Sequence, residues 1–137
     1  MDIQWVIFAQ SYKLNEDKTL DIGKISHHAN IVGKYNKFPA ILIAKPIYSP
    51  IEAGENKKVT IELTHDKNGY IFSKDIPHKI PDLYTWESTI TYIILKFEPL
   101  ELPYPGGYTF SVYVNGEYKN RESIEVTDLL EETNEKF

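Results

Sequence analysis

Leu102–Val126, with the sequence LPYPGGYTFSVYVNGEYKNRESIEV, is the stretch that decides the fold. It opens with a turn that contains two prolines and a Gly-Gly pair, and apolar and polar residues then alternate over seven positions. Alternation of this kind is typical of a strand with one buried face. Asn115-Gly116 separates this run from a second one, and Asn-Gly is the strongest short-range signal for a β-hairpin because both residues tolerate positive φ. The stretch therefore predicts two antiparallel strands and a tight turn.

The first of these strands carries a more specific pattern. Gly106, Tyr108 and Phe110 match the Gly-x-Tyr-x-Cys spacing around the tyrosine corner of immunoglobulin-like sandwiches, with Phe110 in the position of the cysteine. In such a corner the tyrosine ring packs at the edge of the core and its hydroxyl bonds a nearby backbone group. We expect Tyr108 to do the same. The alternative is a generic turn followed by a strand with a half-buried tyrosine.

The rest of the chain shows short alternating runs separated by turn residues, and it shows helical periodicity only in the C-terminal tail. This pattern predicts an all-β, immunoglobulin-like Greek-key β-sandwich of about eight or nine antiparallel strands. We expect a single domain over residues 1–127 and an acidic C-terminal tail or short helix over residues 128–137. Ser26–Lys37 and Asp75–Glu87 are expected to be irregular connections.

Two residues within the predicted strands are expected to distort the strand locally. Pro46 cannot donate a hydrogen bond to a neighbouring strand, so its strand is expected to lie at an edge or to bulge there. Gly23 lies inside a short strand and indicates a bulge or a close backbone approach.

Composition and charge limit the classes of function. The chain has 137 residues, 42% of them hydrophobic and none of them cysteine, which is typical of a folded domain without disulfides or thiolate metal sites. Met1–Tyr12 contains no basic region and no small-residue cleavage site, so we predict a strand rather than a signal peptide, and a cytoplasmic protein. The net charge of −5 lies in residues 122–137, and the remainder of the chain is balanced. Neither a nucleic-acid nor a membrane partner is expected.

Few residues have the spacing that a metal site or a catalytic site requires. The four histidines, His27, His28, His65 and His78, are the candidates for metal ligands, but none shows the convergent spacing of a zinc site. We expect all four on the surface. There is no Gly-x-Ser-x-Gly motif and no cysteine nucleophile. We therefore predict no catalytic residue, no metal, no cofactor and no enzymatic activity.

The order of the motifs resembles a family of small, uncharacterised bacterial β-sandwich proteins, a domain-of-unknown-function family. The segments that carry the resemblance are Phe8–Tyr12, Leu20–Gly23, Phe38-Pro39, Glu52–Gly54, Asp66–Gly69 and Leu102–Gly116. The chain departs from the family in the second glycine of Gly106-Gly107 and in the histidine-bearing link Ser26–Lys37. The resemblance implies the sandwich fold and transfers no catalytic residue.

Three aromatic residues in expected loops are the candidate binding residues: Tyr84, Trp86 and Tyr104. Loop tyrosines and tryptophans provide contact area at low entropic cost. The alternative is that Tyr84 and Trp86 cap the open end of the sandwich. In addition, Ile3–Ala9 and Ile90–Leu95 are apolar on both faces, which suggests that a protein partner or a second copy covers one sheet.

The function predicted from these features is a non-enzymatic, intracellular protein-binding or assembly module. A small-ligand or carbohydrate-binding sandwich is the second hypothesis, in which Tyr84 and Trp86 stack on the ligand. A metal-dependent enzyme that uses His65, Asp66 and His78 is the third.

Overall fold

The computed structural model describes residues 1–17, 19–25, 27–32, 37–83 and 91–129. These residues form nine strands and one 3-10 turn, Pro50–Glu52. The strands are β1 (Asp2–Leu14), β2 (Leu20–Ile25), β3 (His28–Ile31), β4 (Lys37–Ile47), β5 (Asn56–His65), β6 (Gly69–Lys79), β7 (Ile93–Glu101), β8 (Gly106–Val114) and β9 (Glu117–Asp128). Within these ranges the structure contains no helix with the length and apolar character needed to cross a bilayer.

The strands form two sheets that pack face to face. One has four strands in the order β2-β1-β4-β7, and the other has five in the order β3-β9-β8-β5-β6. β4 and β7 are neighbours in one sheet while β5 and β8 are neighbours in the other, which is the interlocked arrangement of immunoglobulin-like sandwiches. The predicted all-β sandwich is confirmed. One pairing differs from the expected antiparallel pattern, because β3 runs parallel to β9.

The core lies between the two sheets and contains side chains from both. Phe8 of β1 stacks on Phe110 of β8 with ring centroids 5.5 Å apart, and Phe97 of β7 lies 5.8 Å from the same ring. Phe110 occupies the position of the cysteine in the tyrosine-corner pattern. Its ring therefore joins the sheets by packing, at about 0.5–1.5 kcal/mol per aromatic pair beyond the burial of apolar area.

The tyrosine corner is present where the chain crosses from β7 to β8. Tyr108 is 1% exposed. Its hydroxyl donates to the carbonyl oxygen of Tyr104 at 2.8 Å and accepts from the amide nitrogen of Tyr104 at 2.9 Å. Burial raises the pKa of the Tyr108 hydroxyl. The prediction from the Gly-x-Tyr spacing is confirmed.

The two expected irregular connections are partly wrong. Ser26–Lys37 contains β3, which pairs with β9 at the opposite end of the chain. The first part of Asp75–Glu87 continues β6 as far as Lys79, and Pro77 is tolerated there because β6 lies at the edge of its sheet. Residues 84–90 lie outside the described residues.

The distortion predicted at Pro46 is present, whereas the close neighbour of Gly23 is a side chain and not the predicted backbone. β4 is an interior strand, and its pairing with β1 shifts between Ile3 and Trp5, next to Pro46. Gly23 lies opposite Ser11, and a Cβ atom at Gly23 would come within 2.2 Å of the Ser11 hydroxyl. At the C-terminus, Asp128 belongs to β9, and residues 130–137 of the predicted tail are not among the described residues.

Replacement of Tyr108 by Phe removes the corner hydroxyl and keeps the ring. Because two backbone groups of Tyr104 then lose their partner, we expect the free energy of unfolding to fall by about 1–3 kcal/mol, measured by urea unfolding with circular dichroism. Tyr113→Phe is the matched control on the same strand, since the described residues show no hydrogen bond to its hydroxyl. Equal losses in the two variants would contradict the role of the corner.

Candidate functional site

Of the three predicted binding aromatics, Tyr104 is the one that lies among the described residues. Tyr84 and Trp86 lie outside the described part of the chain. Tyr104 is 41% exposed, and its ring lies 5.3 Å from that of His65. Its backbone is held by Tyr108, so Tyr104 is a fixed part of the corner with one accessible ring face.

His65 is buried, which makes the expectation of a surface histidine wrong for this residue. It is 4% exposed, and both ring nitrogens have partners. Nε2 lies 2.7 Å from the carbonyl oxygen of Pro105, and Nδ1 accepts from the amide of Asn68 at 3.1 Å and of Lys67 at 3.3 Å. These contacts fit the neutral imidazole with its proton on Nε2. His65 thus ties the β5–β6 turn to the β7–β8 loop.

The same contacts explain both glycines of the turn before β8. Gly106 has a φ of 115°, which only glycine adopts readily, and a Cβ atom there would lie 3.0 Å from His65 Nε2. A Cβ atom at Gly107 would lie 2.2 Å from a carboxylate oxygen of Asp66. The second glycine, which departs from the family that the sequence resembles, therefore makes room for Asp66.

The other histidines do not lie beside His65: β3, which carries His28, is three strands away across the sheet, and His78 is far away along it. His27 is 69% exposed in its side chain and lies 3.4 Å from Glu122, and His28 is exposed on β3. His78 pairs with Lys57 at one end of the β5–β6 ladder, and His65 lies at the other end. Eight residues of strand separate these ends, about 26 Å. The residues of the metal-enzyme hypothesis are therefore not convergent, and the described ranges contain no group of three potential metal ligands.

His78 belongs instead to a half-buried polar group between the sheets. The hydroxyl of Tyr48, just after β4, is hydrogen-bonded to His78 Nε2 and to the hydroxyl of Thr91, just before β7. The rings of Tyr48 and His78 lie 5.8 Å apart and nearly parallel. Burial lowers the pKa of His78 and raises that of Tyr48, so both groups are held neutral at this end of the sandwich.

The outer face of the four-stranded sheet is the most unusual surface in the described residues. Core side chains of β1, β4 and β7 include Val6, Leu42 and Leu95. Successive side chains of a strand alternate, so the residues between them point away from the core. Cross-strand pairs and ring contacts arrange these residues in three rows: Trp5, Lys45 and Tyr92; Ile7, Ile43 and Ile94; and Ile25, Ala9, Ile41 and Lys96. We call these ten residues the outer face.

Aromatic rings and lysines border the outer face. The rings of Trp5 and Tyr92 lie 6.0 Å apart, and Lys45 Nζ lies 5.3 Å from the centre of the Tyr92 ring. At the opposite border Lys96 Nζ lies 5.4 Å from the ring of Tyr12. Both lysines therefore lie close to aromatic rings, in cation–π geometry. The ten residues include two cations and no acid, on a chain with a net charge of −5.

Burial on the outer face is graded. Ala9 and Ile43 have no exposed surface, and Ile41 is buried as well. Trp5, Ile7, Tyr92 and Ile94 are half-buried, and Ile25 is 53% exposed. The apolar character of both faces of β1 and β7 was evident in the sequence, whereas the contribution of β4 was missed. Its run AILIA was apolar on both faces and offered the same signal.

Comparisons with known proteins add little to this geometry. No protein-family model matches the chain, and no curated protein matches it. A crystal structure of a Bacillus anthracis protein, provisionally described as a lipoprotein, is 14% identical with a TM-score of 0.40. The alignment covers 87% of this chain and 85% of the other. The likeness is to a bacterial protein, and at this TM-score it carries no argument about fold or function.

The group formed by Tyr48, His78 and Thr91 predicts a specific pH dependence. Because the folded protein holds the pKa of His78 below its ordinary value, the unfolded chain binds its proton first as the pH falls. The free energy of unfolding should therefore decrease below about pH 6.5. Urea unfolding at pH 8 and pH 5 should show a smaller decrease for His78→Gln than for the wild type. The exposed His27→Gln should leave the decrease unchanged, and an unchanged decrease in both variants would contradict the prediction.

Proposed function

We propose that this protein is a non-enzymatic protein-binding module whose partner docks on the outer face of the four-stranded sheet. The observation that supports the proposal is the arrangement of apolar side chains in register across β1, β4 and β7 on the side opposite the core. An antiparallel sheet normally presents polar residues on its second face. A contiguous apolar surface with polar groups at its border is characteristic of a protein interface.

The composition of the accessible part fits such a role. Trp5 and Tyr92 are of the residue types that contribute most to binding energy at interfaces. They lie beside Ile7 and Ile94, which are half-buried in the single chain and can lose their remaining exposed area to a partner. Ile43, which is fully buried, lies between Ile7 and Ile94 in the same row. The surface is thus already ordered, which reduces the entropy that association costs.

Charge defines the chemistry of the partner. Lys45 and Lys96 lie at opposite borders of the outer face, and none of its ten residues is acidic. A partner with an apolar surface bordered by carboxylates would be complementary. A second copy would bring two more lysines and no acid to the same interface, so we favour a different protein. Kinship with the small bacterial sandwich proteins that the sequence resembles, and a cytoplasmic location, belong to this proposal.

Photo-crosslinking tests the proposal in the cells that produce the protein. A photoreactive phenylalanine analogue at Ile94 should form a discrete adduct with another protein on irradiation, because this side chain faces the partner. Ser73, exposed on β6 of the other sheet, is the matched control position and should give no such adduct.

A second change links the adduct to the outer face. Trp5→Glu in the Ile94-labelled protein should reduce the yield at least about tenfold, since a buried carboxylate opposes an acidic partner. Circular dichroism should show that the variant remains folded. An adduct between two copies would replace the proposed partner by self-association. Equal labelling at positions 94 and 73, or none at 94, would refute the proposal.

A further inference from the structure

The four-stranded sheet splits at one end. β1 pairs with β4 from Asp2 opposite Ile47 to Ala9 opposite Ile41. Beyond this point β1 continues as far as Leu14 and pairs with β2 alone, while residues 37–40 of β4 pair with β7. In the described residues, two extended segments thus diverge from a common point, and their facing edges are not paired with each other.

A groove lies where the two strands separate. Its volume is about 230 Å³, and it is lined by polar groups of Gln10, Ser11, Tyr12, Lys96 and Glu98. Ala40, Ile41 and Phe97 form its apolar floor. Pockets for drug-sized ligands typically enclose about 300–1,000 Å³, so this groove is small for a free ligand. A groove of this volume can accommodate a few side chains of a longer molecule.

We propose that an extended segment of the partner protein enters this split and adds to the sheet as a strand beside β1. The inference rests on the proposed function and specifies how the partner engages the sheet. Strand addition uses backbone hydrogen bonds for affinity and pockets for alternate side chains for specificity. The segment 10–14 of β1 supplies the backbone edge, and the groove supplies the pocket.

The two edges of the split are not equivalent. Pro39 has no amide hydrogen, so residues 37–40 of β4 can donate fewer hydrogen bonds than the facing edge of β1. The added strand should therefore pair chiefly with β1. Five residues of β1 are available there, which limits the paired part of the segment to about five residues.

The lining of the groove defines the sequence of the segment. Side chains of a strand alternate, so every second residue of the segment would point to the apolar floor around Ile41. Those residues should be apolar. Lys96 lies at the border between groove and outer face, where it would attract a carboxylate of the segment, whereas Glu98 in the same groove would repel one, so the acidic residue is expected at the Lys96 end. An acidic residue next to apolar residues at alternate positions is therefore expected, in agreement with the charge of the outer face.

A defined probe tests the inference without knowledge of the natural partner. A phage library of random heptapeptides is selected on the wild-type protein, and the enriched sequence is synthesised. We expect alternating apolar residues with at least one acid. On binding, amide hydrogen exchange measured by NMR should slow at least about tenfold in residues 10–14 and remain unchanged in residues 2–8.

Two variants separate the groove from general charge effects. Lys96→Glu should weaken binding of the peptide about tenfold, because the carboxylate of the peptide then meets a like charge. Lys74→Glu, on the exposed part of β6, makes the same change in net charge and should leave the affinity unaltered.

The outcomes distinguish the two proposals. A photo-adduct at Ile94 together with unchanged exchange in residues 10–14 would overturn strand addition and leave docking on the outer face intact. Failure to enrich any peptide, or enrichment of one that Lys96→Glu binds equally well, would likewise overturn strand addition. Absence of the adduct at Ile94 would refute the outer face as the docking site, irrespective of the result of the peptide-binding measurements.

Discussion

The crossing from β7 to β8 is the constraint on which the two-sheet arrangement depends. There the hydroxyl of Tyr108 holds both backbone groups of Tyr104, and the imidazole of His65 holds the carbonyl of Pro105. These bonds set the direction in which the chain leaves one sheet and enters the other. They thereby place Phe97 and Phe110 on facing sheets with their rings 5.8 Å apart. Removal of either side chain would leave buried backbone groups without partners, which costs more than the bond itself contributes.

The four-stranded sheet then faces two different environments. Its inner side chains pack against the five-stranded sheet, while most of its outer side chains are also apolar and part of them keep some exposed surface. Trp5, Ile7 and Ile94 are half-buried in the single chain, and the apolar area that they leave in contact with water forgoes about 25 cal/mol per Å². Their burial by another protein would recover that free energy. This remaining area is what the proposed partner would cover.

Local patterns in the sequence predicted the fold well because their physics is local. The tyrosine corner depends on residues four apart, and the hairpin depends on one Asn-Gly pair. β3 was missed because it has only four residues and pairs with β9, far away in sequence. His65 was expected on the surface because its main partner, Pro105, lies 40 residues further on. The same limit applies to the candidate site. The sequence showed that β1 and β7 are apolar on both faces. The three rows of the outer face and the separation of β1 from β4 depend on the register of strand pairing, which the sequence does not encode locally.

The edge strand β6 and the outer face differ in how strongly their residues oppose association with other chains. β6 pairs only with β5 in the described residues, and it carries Lys74, Pro77 and Lys79 along an otherwise open edge. Lysine and proline on an edge strand oppose pairing with other chains. On the outer face the lysines lie at the borders, and the side chains that keep some exposed surface between them, Ile7 and Ile94, are apolar. The sequence thus opposes pairing at β6 and carries no charge between the borders of the outer face, which agrees with the surface proposed for docking.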